Sequence, residues 1–197
     1  SPAAKDAMAQ ILTNSKMSAM GHRPICQDTG IVNVFLKIGM DVRFEGFPAG
    51  QAVEDAANEG TRRAYTFEDN TLRASIVADP LFARKNTRDN TPAVTHIQLV
   101  PGSTVEVTVA AKGGGSENKS KMAMLNPGDS LVDWVLKTVP LMGAGWCPPG
   151  MLGIGVGGTA EKAMLMAKES LMEELNMYEL QQRSAKGEKL SELEELR

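Results

Sequence analysis

Apolar positions change their spacing several times along the chain, and each change marks an element. Residues 3–20 hold no Gly or Pro and are rich in helix formers, which predicts a helix ending near Met20 and Gly21. The run Ile31-Val-Asn-Val-Phe-Leu-Lys-Ile38 is rich in β-formers and closed by Gly39, the pattern of a strand. Between Gly50 and Tyr65 the apolar positions Ala52, Val53, Ala56, Ala57 and Ala64 fall on a mostly polar helix, and residues 70–79 read as extended. Residues 80–92 show no period and form a polar loop. Two strands follow, 93–100 and 104–111, and the Pro101-Gly-Ser turn between them predicts a hairpin. A glycine-rich segment at 113–118 precedes a helix at 130–139, a strand at 151–156 and a helix at 159–175. In that last helix Thr159 caps a stripe of Met164, Ala167, Leu171 and Leu175. The charged segment 184–197 carries Leu190, Leu193 and Leu196 on one stripe, a helix in need of a partner surface. There are no internal repeats. The fold class expected is α/β, a mixed sheet with packed helices, antiparallel around the 93–111 hairpin.

Composition narrows the class of partner. At 197 residues and 42% hydrophobic, the chain can bury one core as a single domain. The net charge of -3 is spread over mixed-sign segments and only 5% of residues are aromatic, which argues against nucleic acid and favours a small-molecule partner. No apolar run reaches the roughly 20 residues that a bilayer demands, and the first residues do not form a signal peptide, so a cytoplasmic location is expected. The missing initiator Met and the helical pattern that runs to Arg197 suggest a piece of something longer.

Two glycine-rich motifs invite nucleotide readings that their contexts refuse. Gly153-Ile-Gly-Val-Gly-Gly158 has the spacing of a dinucleotide fingerprint, but a Rossmann unit needs a second strand ending in an acid about 20 residues on, and here the helical pattern runs through that stretch. A nicotinamide-binding module therefore stands only as an alternative, beside a strand packed closely on the helix that follows it. Lys112-Gly-Gly-Gly-Ser-Glu-Asn-Lys-Ser120 lacks the Gly before Lys-Ser that a phosphate loop requires. Three glycines after a strand let backbone amides approach a ligand closely; the same residues also suit a plain surface turn. His22 and His96 are the only histidines, too few donors for a zinc site, and His22 lies too near Cys26 in sequence to form a protease-like dyad.

Cys26 and Cys147 are the only thiols, each inside a stiff polar turn: Arg23-Pro-Ile-Cys-Gln-Asp-Thr-Gly30 and Gly145-Trp-Cys-Pro-Pro-Gly150. Structural cysteines normally sit among periodic apolar residues, whereas prolines and glycines fix a backbone and leave sulfur accessible. Three readings remain open on the residues alone: structural thiols, a redox pair, or soft-metal ligands. Nothing suggests a secreted scaffold, so the thiols are expected in the reduced state.

At these residues the chain resembles the class I, iron-sulfur-dependent fumarate hydratases. The matching stretches are Pro24-Ile-Cys-Gln-Asp-Thr-Gly30, Asn70-Thr-Leu-Arg73, Asn86-Thr87 with Asn90-Thr-Pro-Ala93, Lys112-Gly-Gly-Gly-Ser-Glu-Asn-Lys119, Ala144-Gly-Trp-Cys-Pro-Pro149 and Ile154-Gly-Val-Gly-Gly-Thr-Ala-Glu161. The resemblance implies one domain of a larger enzyme, with residues 1–180 as its cluster- and substrate-binding N-terminal (alpha) domain and 181–197 as a charged helical segment leading onward. It implies reversible hydration of fumarate to L-malate at a [4Fe-4S] cluster whose iron acts as a Lewis acid. Cys26 and Cys147 match two of three cluster ligands, and no third cysteine exists in this chain. By the same resemblance Gln27, Asp28, Arg73 and Gly115 match substrate contacts, with Asp28 a participant in acid-base chemistry. A C-terminal domain or beta subunit would complete the site, in a homo-oligomer. Mesaconate and tartrate hydratases are the close alternatives; tartrate dehydratases share Cys-Gln-Asp-Thr-Gly but resemble this chain less at Ser116-Glu-Asn118. The isolated segment would be inactive, and a non-catalytic assembly piece is a further alternative.

Overall fold

A computed structural model describes all 197 residues except Gln27, Asp28, Pro148 and Pro149. It contains two compact units, 1–151 and 152–197. The first unit is built around strand β1, Ile31–Gly39, whose near-continuous apolar run marks a strand covered on both faces. Val32, Val34, Leu36 and Ile38 point to one face and are buried there with Tyr65 of helix α2, Val53–Thr66. Val53, Ala57, Leu72 and Ala74 pack against them. Each such side chain stabilises by about 1.5–3 kcal/mol on leaving water. On the opposite face Phe35 stacks on His96, with ring centroids 5.0 Å apart.

Strands β4, Val94–Val100, and β5, Val105–Lys112, exist where the sequence pattern places them, yet they do not pair with one another. The expected hairpin is corrected: β1 lies between them in the order β4-β1-β5, parallel to β4 and antiparallel to β5. The more apolar strand takes the centre, where both faces are covered, and the turn at 101–103 crosses over its end. There Gly39 and Asp41 donate to the carbonyls of Thr104 and Gly102 at 2.8 and 3.0 Å, and Met40 donates to Val100 O at 2.9 Å. Gly39 makes the crossing possible, since a Cβ there would stand 2.2 Å from Gly102 O. The sheet is mixed, as expected. Helix α2 covers β1 and leaves the same-face row of β5 open along an apolar cleft of about 500 Å³, where Val107 and Val109 are 57% and 61% exposed.

Around this sheet run helix α1, Pro2–Gly21, and a two-residue ladder of β2, Val77–Ala78, with β3, Lys85–Asn86. The unit also holds the short helix α3, Gly114–Glu117, and helix α4, Leu131–Leu141. Ser1 caps α1 by accepting from Ala4 N–H, and none of that helix's residues is buried. Ser130 caps α4 in the same way, accepting from Asp133 N–H at 3.2 Å.

The second unit holds α5, Ala160–Ser170, α6, Met177–Ala185, and α7, Glu192–Leu196. The strand expected at 151–156 does not form, since among the described residues no neighbouring strand offers it a ladder. Residues 153 and 155 instead lie directly on α5: a Cβ would meet Ala167 O from Gly153 and Ala163 O from Gly155, each at 2.0 Å. The helix expected to run to Leu175 ends at Ser170, and the charged C-terminal segment folds as a turn followed by the short α7. No helix among the described residues is long and apolar enough to cross a membrane.

Candidate functional site

The three glycines after β5 form the floor on which both cysteine turns rest. Gly30, at φ +58, ends the first turn against this loop so closely that a Cβ would stand 2.1 Å from Lys112 O and 2.6 Å from Gly114 N. Only a residue without a side chain tolerates both that left-handed backbone and that contact. The second turn makes the matching contact from the other side: a Cβ on Gly115 would lie 2.3 Å from Gly145 O. Backbone packed on backbone thus brings three sequence-distant motifs to one place.

The result is seen at the sulfurs. Cys26 Sγ and Cys147 Sγ stand 3.6 Å apart, in contact and not joined as a disulfide. Cys26 is half-buried and Cys147 exposed. Cys147 has φ +60, an uncommon conformation for a residue with a Cβ. Next to it the Trp146 indole N–H donates to Gly143 O, and its ring fills the space that a side chain on residue 150 would need.

The extended segment 70–76 braces the first turn. Asn70 shapes its start, accepting from Leu72 N–H at 2.8 Å and donating to the carbonyls of Tyr65 and Leu72. Thr29 Oγ1 donates to Arg73 O at 3.0 Å and accepts from Tyr65 OH at 3.0 Å. Arg73 itself is exposed, three residues beyond the Asn70 that shapes its turn. Asn90, fully buried at φ +58, joins the end of the first cysteine turn to the 70–76 segment. Its amide donates to Gly30 O at 3.0 Å and its carbonyl accepts from Ser75 and Ile76 N–H at 2.7 and 3.2 Å. Ser75 Oγ also donates to Gly30 O. Below the glycines, Lys112 Nζ is 3.0 Å from Glu117 Oε2 and donates to Ser116 Oγ at 3.1 Å.

Of the residues singled out by sequence, Cys26, Cys147 and Gly115 meet at this floor, and Arg73 is tied to the first turn through its carbonyl. Gln27 and Asp28 lie outside the described residues. Thr29 and Asn90 lie in stretches that carry the resemblance but have no role assigned there, Tyr65 and Ser75 lie outside them, and the contacts that place the four span 14–60 positions. The one local signal is Asn90, since Asn adopts the left-handed backbone more readily than other residues with side chains. Among the described residues no group of three or more His, Cys, Asp or Glu stands together as a metal cage. The two cysteine sulfurs are soft donors on converging turns, a donor type that suits an iron-sulfur or other soft-metal centre.

Comparison with known proteins gives the chain's family. A Methanocaldococcus jannaschii protein provisionally named as an L(+)-tartrate dehydratase subunit alpha is 34% identical over 180 residues, 87% of this chain and 60% of that protein. The anaerobic class I fumarate hydratase of Escherichia coli K12 is 32% identical over 161 residues, 79% of this chain and 28% of that protein. Fumarate hydratase 2 of Leishmania major is 35% identical over 164 residues, 80% of this chain and 28% of that protein. The chain therefore spans between about a quarter and three fifths of the length of these relatives. The family described as fumarate hydratase (Fumerase) matches residues 1–196. With that match extending over all the motifs gathered at the glycine floor, the chain belongs to the fumarate hydratase (Fumerase) family.

Proposed function

We propose that this chain is the cluster- and substrate-binding part of a hydro-lyase that interconverts fumarate and L-malate. What supports the reading most is that the turns carrying Cys26 and Cys147 converge on the triple glycine, because a metal centre held from two distant turns requires that convergence. Cys26 and Cys147 would supply two thiolates to a [4Fe-4S] cluster, whose chemistry when bound is that of a Lewis acid toward the departing hydroxide. The third thiolate would come from a C-terminal domain or beta subunit, in keeping with relatives that are longer than this chain.

The chain's own residues do the rest. The Arg73 guanidinium, exposed on a braced backbone, would grip one carboxylate as a bidentate fork, and the Gly115 amide would meet the substrate from the floor. Asp28 would hold or move the proton on the carbon next to the carboxylate, and Gln27 would orient the acid. Tartrate is the second reading, and the similarity to the M. jannaschii protein provisionally named as an L(+)-tartrate dehydratase subunit alpha favours it.

The test is anaerobic reconstitution of the full-length protein with iron and sulfide. The expected product is brown, hydrates fumarate, and discriminates against mesaconate and tartrate. Replacing Cys26 or Cys147 by Ser should abolish cluster content, and Arg73→Ala should lower kcat/KM by about 100-fold or more. A Cys26→Ser protein that keeps its full cluster and activity would overturn the ligand assignment. Turnover of tartrate in preference to fumarate would establish the second reading.

A further inference from the structure

The separation of the two sulfurs has a chemistry of its own. Two ligands of one cubane bind different irons and therefore stand farther apart than two sulfurs in direct contact. At 3.6 Å, the Cys26 and Cys147 sulfurs are already in contact, about 1.6 Å beyond disulfide bonding distance. We propose that the Cys26–Cys147 pair is an oxidisable site: a small-molecule disulfide such as oxidised glutathione converts the two thiols into one intramolecular disulfide, which shuts both sulfurs to metal. The inference does not depend on the hydratase reading, since it follows from sulfur placement alone.

Exposure sets the order of events. Cys147 is exposed and attacks first, as thiolate, on one sulfur of the oxidant; the oxidant's S–S bond breaks and one glutathione leaves as thiol. Cys26, half-buried and already in contact, then attacks the Cys147 sulfur of the mixed disulfide and releases the second glutathione. Two electrons pass from the protein to the oxidant, and the two thiol hydrogens end on the two glutathiones. The chain contains no other cysteine to compete. The bracing that holds the pair is independent of any metal: Gly30 and Gly145 rest on the same glycine floor, and the left-handed Cys147 is fixed beside Trp146. A disulfide sulfur is no longer a thiolate, so the oxidised chain has lost both donors.

The test incubates the metal-free chain with excess oxidised glutathione, quenches by alkylation and reads masses. The expected outcome is loss of both alkylatable thiols without added glutathione, and one proteolytic peptide pair joining Cys26 to Cys147. The half-time should be about tenfold or more shorter than for the chain unfolded in guanidinium, where the native juxtaposition is lost. Cys26→Ser should stop at a glutathione adduct on Cys147, and Cys147→Ser should react about tenfold more slowly. Dithiothreitol should restore both thiols, read as the return of two alkylatable cysteines. A chain that ends with two glutathiones attached, forms dimers, or closes no faster folded than unfolded would overturn the proposal. None of these readouts needs fumarate hydration, so failure here is distinct from failure of the hydratase reading.

Discussion

Asn90 shows how much of the site depends on groups that never touch it. Its side chain satisfies one carbonyl and two N–H groups inside the protein, and water cannot replace it there because the residue is fully buried. Asn90→Ala should therefore destabilise by about 2–4 kcal/mol, read as a shift of the urea midpoint. A midpoint unchanged from the parent would mean that Gly30 and the 75–76 backbone find other partners. At this scale the sequence was half legible. The cysteines and the glycine triplet announce themselves, because thiols are rare and three consecutive glycines have few uses. Thr29, Tyr65 and Asn90 do not: a hydroxyl or an amide says nothing about partners 36 or 60 positions away.

Among the elements, periodicity identified the strands but not their neighbours. The alternation in 94–100 and 105–111 and the Pro-Gly-Ser turn describe two adjacent segments equally well whether they pair or straddle a third. What decides is the burial of β1 on both faces, a property of the whole sheet. The expected strand at 151–156 fails for a related reason, since an apolar run becomes a strand only where another strand accepts its hydrogen bonds. The pair α6 and α7 is held differently, by charge. Glu194 accepts from Arg183 Nη1 at 2.5 Å and from Ser191 N–H and Oγ at 2.8 and 3.0 Å, and its carboxyl is lowered from 4.5 to about 2. The Arg183 guanidinium is the largest cause. Because the folded value is the lower one, the carboxylate's contribution is fully present above about pH 4.5 and is lost as pH falls toward 2. A carboxyl-carbon NMR titration should place the Glu194 midpoint near pH 2. A midpoint at 4.5 would show that the contact with Arg183 is not kept in solution.

Taken whole, the molecule keeps most of the buried apolar side chains among its described residues in one strand and shows much of its remaining apolar surface to solvent. Helix α1 buries none of its residues, and its Met8, Leu12, Met17 and Met20 are all exposed. Amide hydrogen exchange should follow the same order, with β1 the slowest segment and α1 exchanging orders of magnitude faster. Equal protection in the two would mean that α1 finds a covering surface in solution.

The bare flank of β5 carries a hazard. Among the described residues β5 is the outer strand of its sheet, and Val105-Glu-Val-Thr-Val-Ala-Ala111 combines β-branched residues with a single charge, which Lys37 neutralises at 2.7 Å. Concentrated solutions of the isolated chain should nucleate cross-β fibrils through this segment, detectable by thioflavin fluorescence, and Val107→Lys should lengthen the lag several-fold. Crystallisation and storage of the chain would then call for low concentration or a blocking partner along that edge.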